Sequence, residues 1–152
     1  MPEKIRIAVG SDHAGYPLKE KVRDYLVSRG YEVEDQGADS TASVDYPDYA
    51  ERVAARVAGK TVTFGVVVCG TGIGVAISAN QVAGVRAAPC NDTLTARMAR
   101  EHNDANVLTL GGRVVDESTA RKILDVWLAT PFAGGRHQRR VEKIAAIGAR
   151  RR

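Results

Sequence analysis

The sequence predicts a single α/β domain of Rossmann-like build: a five-stranded parallel sheet in flavodoxin-like order, with helices on both faces. Three observations predict it. Short apolar runs alternate with amphipathic stretches along the whole chain, the pattern of repeated strand–helix units. The runs at 5–10 and 64–68 are apolar at successive positions, so both faces of those strands are covered, as in parallel sheets. The 152 residues suffice for one well-buried core and are short for two, with no repeat, low-complexity segment or linker to divide them.

Each element has its local reason. Residues 5–10 form the first strand, followed by the loop Ser11-Asp12-His13-Ala14-Gly15. Pro17 suits the first turn of a helix. Leu18, Val22, Tyr25 and Leu26 are its apolar stripe, and Gly30 is its C-terminal cap. Residues 31–35 make a weaker second strand near a sheet edge, and a polar loop over 37–45 leads to a helix over about 47–57. Strand 64–68 runs into Cys69-Gly70-Thr71-Gly72-Ile73-Gly74, and residues 75–81 follow as a helix. Residues 85–88 are a fourth strand, 91–101 a helix capped by Asn91 or Asp92, and 105–110 a fifth strand. A helix over 116–128, capped by Asp116 or Ser118, is stopped by Pro131. A Gly134-Gly135 hinge opens a last amphipathic helix with Val141, Ile144, Ala145 and Ile147 on one face. Open parallel sheets bind ligands beyond the C-terminal strand ends, where the strand order switches. With strands one and three adjacent, the loops at 11–15 and 69–74 face each other there.

Composition narrows the function classes. A hydrophobic fraction of 44% and a charged fraction of 26% are ordinary for a globular chain. No apolar run approaches a membrane span, and no signal peptide precedes the first strand. Two cysteines, Cys69 and Cys90, are too few for a disulfide framework and suit a reducing cytoplasm. The net charge of +4 is uneven: residues 136–152 hold seven Lys or Arg against Glu142, whereas the remainder has fifteen bases and seventeen acids. Such a basic tail fits an anionic small molecule, nucleic acid or an acidic neighbouring subunit. Few aromatics (5%) and no nucleic-acid motif argue against the second.

The chemistry collects around Cys69. A thiol at a strand end, before a glycine turn and a helix start, faces backbone amides that favour a thiolate and an oxyanion. Gly70-Thr71-Gly72-Ile73-Gly74 is neither a dinucleotide fingerprint, its third glycine coming one residue early, nor a P-loop, since it lacks the lysine. The readings left open are a nucleophile, a general base, an inert buried cysteine, a tight turn needing small residues, or a Cys69–Cys90 pair. His13 follows strand one beside Asp12, His102 ends the fourth helix beside Asn103, and His137 opens the tail. Because His102 precedes strand five, it belongs to the opposite edge of its own sheet. It reaches the Cys69 edge only from a neighbouring subunit or an unusual loop, which predicts an intersubunit site. Arg136 and Arg140, four apart, suit one phosphate. Residues 150–152 read as a solvated face.

Taken in order, Gly10-Ser11-Asp12-His13-Ala14-Gly15, Asp45-Tyr46-Pro47, Cys69-Gly70-Thr71-Gly72-Ile73-Gly74, Arg100-Glu101-His102-Asn103-Asp104-Ala105-Asn106, Gly111-Gly112-Arg113 and Gly134-Gly135-Arg136-His137-Gln138-Arg139-Arg140-Val141 resemble the B-type ribose-5-phosphate isomerases, within the wider family that includes galactose-6-phosphate isomerase subunits. The likeness runs along nearly the whole chain. It implies interconversion of ribose 5-phosphate and ribulose 5-phosphate through a cis-enediolate, as in the pentose phosphate pathway, with neither metal nor organic cofactor. By that resemblance Cys69 is the base, His102 the ring-opening acid, and Asp12 and Thr71 hold the sugar. The amides of Gly70, Gly72, Ile73 and Gly74, with Asn103, stabilise the enediolate. His13, Arg113, Arg136 and Arg140 contact phosphate, and Tyr46 walls the sugar site. It further implies a homodimer, or a dimer of dimers, whose sites draw on both subunits and whose C-terminal helix packs on the partner. A branch with a glutamate just after the glycine loop is not matched, since Val75 stands there. The stretch 87–91 is less typical and leaves hexose 6-phosphates (allose or galactose) as the alternative substrate class. A non-catalytic phosphate-binding module is the more distant one.

Overall fold

Strand and helix alternate without exception up to the last element. The computed structural model describes residues 4–151. It runs β1 (Arg6–Ser11), α1 (Tyr16–Ser28), β2 (Glu32–Asp35), α2 (Tyr46–Ala58), β3 (Phe64–Cys69), α3 (Ile73–Ala79), β4 (Ala87–Pro89), α4 (Thr93–Glu101), β5 (Val107–Gly111), α5 (Glu117–Ala129) and α6 (Arg136–Arg151). All pairings are parallel and the spatial order is β2-β1-β3-β5-β4.

Strands one and three are neighbours, as expected. The far side differs from flavodoxin-like order by one exchange, with β5 rather than β4 beside β3. The residues explain the exchange. Val107-Leu108-Thr109-Leu110-Gly111 is buried throughout, whereas Ala87-Ala88-Pro89 is short, part-exposed and ends in a proline that donates no ladder bond. The fully buried strand takes the interior position and the weak one the edge.

Helix sides follow from this order. The steps β1→β2 and β4→β5 run one way across the sheet, and α1 and α4 lie on one face. The steps β2→β3 and β3→β4 run the other way, and α2 and α3 lie opposite, as crossovers of one hand require. Successive residues of β3 serve both layers. Phe64, Val66 and Val68 pack with Leu26, Leu108 and Trp127, while Val67 and Cys69 pack with Val53, Val75 and Ala79. Cys90 belongs to the first layer and Cys69 to the second, and both are free thiols. That arrangement rules out the disulfide.

Two boundaries differ in an instructive way. Helix α3 begins at Ile73 instead of 75, because Gly72 takes the left-handed conformation (φ 79°) and turns the chain directly into the helix. The last residue of β3 is Cys69 itself, registered against Gly111 of β5. The N-caps resolve to Asp92 and Asp116, which accept from the amides of Thr95 (2.7 Å) and Thr119 (2.8 Å). Helix α6 buries only Val141 in its own chain, leaving Ile144 and Ile147 half exposed.

Candidate active site

Three strands end together. Ser11 of β1 pairs with Val68, and Cys69 of β3 pairs with Gly111 of β5. Because α1 and α5 leave on one face and α3 on the other, β3 ends between two crevices, the position where parallel sheets take ligands.

The glycine turn after Cys69 is stapled to β5. Gly112 N–H donates to Cys69 C=O at 2.8 Å, Arg113 N–H to Gly70 C=O at 3.0 Å, and the buried Thr109 hydroxyl to Gly72 C=O at 2.7 Å. Held this way, the Gly72 amide donates to the Cys69 sulfur at 3.2 Å. Cys69 is buried (5% exposed), with its sulfur accepting from that amide. A side chain at Gly74 would lie 2.5 Å from the Tyr46 ring, so glycine there lets α2 and the tyrosine close over the turn. The Arg113 guanidinium lies against Gly70.

Loop 11–15 borders the same end. Asp12 is buried and its Oδ1 accepts the Gly15 amide at 2.8 Å. His13 Nδ1 accepts Val44 N–H at 3.1 Å, which places the proton of the neutral ring on Nε2. Thr71 is exposed and its hydroxyl accepts the Ile73 amide at 3.3 Å. The loop carrying Val44 and leading to Tyr46 is fastened at its start as well. The fully buried Lys19 donates to both Asp35 carboxylate oxygens at 3.0 Å and to Ala38 C=O at 2.7 Å. Lys19 and Arg23, with the Gly37 amide, hold the Asp35 carboxyl below the usual range against the opposing effect of burial, which is the largest single influence on it.

The remaining candidates gather elsewhere. His102 is the C-cap of α4 and precedes β5, whose far end registers with Cys69. Traversing β5 alone spans about 13 Å, so His102 and Asn103 belong to the opposite end of the sheet, with Arg136 and Arg140 at the start of α6. The turn that presents them is clamped. Asp104 sits in the left-handed region (φ 46°), Arg86 donates to its carbonyl at 2.8 Å, and the nearly buried Arg100 donates to its carboxylate at 3.1 Å. Arg100 also lies over the Phe64 and Trp127 rings at 4.8 and 5.8 Å. A groove lined by Val82, Val85, Ala105, Ile144 and Ile147 reaches Asn103 but not Cys69. Thus Asp12, His13, Tyr46, the 69–74 turn and Arg113 come together in one chain, and His102, Asn103, Arg136 and Arg140 form a second group.

The sequence reading missed three positioning contacts: the Val44–His13 tie, the Lys19 network, and a stack of the His102 and His137 rings (centroids 4.2 Å apart, 13° between planes). Lys19 carried a readable signal, because it falls on the stripe defined by Val22 and Leu26, where an apolar residue is expected. Among the described residues no cluster suits a metal ion, and no helix is long and apolar enough to cross a membrane.

The chain is similar to known proteins along nearly its whole length. Residues 7–144 match the family model described as Ribose/Galactose Isomerase. The chain is 49% identical over 146 residues to ribose-5-phosphate isomerase B of Escherichia coli, covering 96% of this chain and 98% of that one. It is 42% identical over 141 residues to D-erythrulose-4-phosphate isomerase of Pectobacterium atrosepticum, covering 92% and 93%. Among solved structures, ribose-5-phosphate isomerase B of Clostridium thermocellum superposes with a TM-score of 0.96 at 50% identity, covering 97% of this chain and all of that one. The type B enzyme of Trypanosoma cruzi does so with 0.95 at 45% identity, covering 99% and 100%. A cysteine and glycine turn at the shared end of three parallel strands, in a chain alike from end to end, leaves one conclusion: the chain belongs to the ribose/galactose isomerase family and is an aldose–ketose isomerase.

Proposed function

We propose that the protein interconverts D-ribose 5-phosphate and D-ribulose 5-phosphate. The observation that carries this reading is the Gly72 amide on the Cys69 sulfur, at the point where β1, β3 and β5 end. A thiolate there is placed to act as a base beside a ring of amides. The His13 Nε2–H and the Arg113 guanidinium suit a phosphate, and Tyr46 forms one wall.

Ring opening comes first. His102 protonates the ring oxygen as its bond to C1 breaks, and the anomeric hydroxyl gives its proton to Asp12, leaving the aldehyde. Cys69 then removes the C2 proton. The resulting cis-enediolate carries its charge on O1, facing the amides of the 70–74 turn and Asn103. The proton returns to C1 while another passes from O2 to O1, giving the ketose. Thr71 holds the sugar, and Arg136 and Arg140 complete the phosphate site.

One chain does not assemble this set, so His102, Asn103, Arg136 and Arg140 come from a second copy in a homodimer. Support comes from Ile73 and Ile77, one turn apart on α3 beside the glycine turn and 57% and 62% exposed, and from the uncovered Ile144 and Ile147 of α6. The free thiols suit a reducing cytoplasm.

Turnover on a panel of sugar phosphates tests the substrate. Ribose 5-phosphate is expected to give the highest kcat/KM. A higher value with allose 6-phosphate, galactose 6-phosphate or erythrulose 4-phosphate overturns the pentose assignment, and no isomerisation of any of them overturns the enzymatic reading.

A further inference from the structure

We propose that His137 is a positioning residue that sets the plane of the His102 ring. The inference rests on the reading of His102 as the ring-opening acid. The two imidazoles lie face to face, with centroids 4.2 Å apart and planes 13° from parallel. Their backbones are brought together by identifiable contacts. Ala133 N–H donates to Glu101 C=O at 3.0 Å, tying the segment after α5 to the end of α4. Gly134 and Gly135 then turn through the left-handed region (φ 65° and 55°), and His137 N–H closes that turn on Gly134 C=O at 3.0 Å. His102 is meanwhile fixed from its own side by the Asp104 clamp to Arg86 and Arg100.

Glu101 Oε1 lies 3.9 Å from His102 Nε2. Arg136 and Arg140 flank His137 on α6. Desolvation, then His102 and the two arginines, hold His137 below the ordinary imidazole range, with Glu101 opposing. Asp104 is engaged by Arg86 and Arg100. The His137 ring, disfavoured as a cation, is therefore a neutral face against which the His102 ring is held.

The test separates ring opening from enolisation. Ribulose 5-phosphate has no furanose form, so exchange of its C1 hydrogen with solvent deuterium needs Cys69 and the glycine turn but no ring opening. For His137→Ala, turnover of cyclic ribose 5-phosphate is expected to fall about tenfold, with the exchange rate of ribulose 5-phosphate kept. His137→Phe retains a stacking ring and is expected to restore turnover to within about twofold of the native enzyme. The ring signals of His102 in the magnetic resonance spectrum report the stack directly: they should move in His137→Ala and return toward their native positions in His137→Phe. The inference is overturned if His137→Ala slows both reactions equally, if it slows neither, if His137→Phe is as slow as His137→Ala, or if the His102 ring signals do not move in His137→Ala. An enzyme whose native form does not isomerise ribose 5-phosphate would instead overturn the functional reading, so the two failures are distinguishable.

Discussion

The Gly72 amide donates to the Cys69 sulfur across three residues of a turn that β5 holds in place. The donor on the sulfur is a backbone amide, and the Thr109 hydroxyl holds the carbonyl of the same residue; on the proposed mechanism this turn organises the base. Cys69→Ala removes the base while leaving the turn and the phosphate groups. Its kcat should drop by about 10²–10⁴-fold with ribose 5-phosphate affinity, read by calorimetry, nearly unchanged. Undiminished turnover in that variant would eliminate Cys69 as the base.

Gly72→Ala tests the turn itself. The position has φ 79°, and an added Cβ would lie 2.9 Å from the Leu110 carbonyl carbon. A left-handed alanine costs about 1–2 kcal/mol, and relief of the clash moves the amide off the sulfur. A lower urea midpoint together with a lower kcat is expected. A loss of stability alone would show that the amide does not act on the thiol.

Shared sites are tested by complementation. Cys69→Ala and His102→Asn homodimers should each be nearly inactive. Mixed and re-equilibrated, half of the dimers carry both lesions in one site and none in the other, so roughly a quarter of native activity should return. No recovery after subunit exchange, with exchange verified by mass, would refute the intersubunit arrangement.

Lys19→Met deletes the fastening of the loop ahead of Tyr46. A buried ammonium with three hydrogen-bonded partners is lost, and stability should fall by about 3 kcal/mol, measured by urea unfolding. KM should rise more than kcat falls, because in the proposed site this loop shapes the sugar wall and does not carry the base.

Charge linkage predicts the pH limits of stability. Asp92 and Asp116 are held below the usual carboxylate range by the Thr95 and Thr119 amides, and Asp35 is lowered as well. Their contribution is complete above the unfolded carboxylate value of about 3.9 and disappears as pH falls through the lower native values. Cys90 behaves oppositely, since burial raises its thiol to about 11. Its contribution is complete below the unfolded value of about 8.5 and is lost as pH climbs toward the native one. Urea midpoints across pH should therefore sag at both extremes, and Cys90→Ala should flatten the alkaline side.

Most of the fold was legible because most β–α units announce themselves locally, by an apolar run, a Pro or Asp at the helix start, or a Gly or Pro after it. The exchanged places of β4 and β5 were not, since order in a parallel sheet is settled by competition for the buried slot. Ala87-Ala88-Pro89 loses that competition only in comparison with residues 107–111. The Cys69 turn could be read from six consecutive residues. The Val44–His13 tie could not, because a backbone amide thirty-one positions away leaves no trace in residue types. The separation of His102 from Cys69 was legible from topology alone, as a residue preceding a parallel strand lies at its opposite end.

That separation has a consequence in solution. If the proposed site is shared, a subunit that holds its thiol at one end of the sheet and its histidine at the other completes no site alone, and activity becomes a property of association. On serial dilution, specific activity should decline once protein concentration drops beneath the dimer dissociation constant. The enzyme would then respond to its own abundance more steeply than in simple proportion.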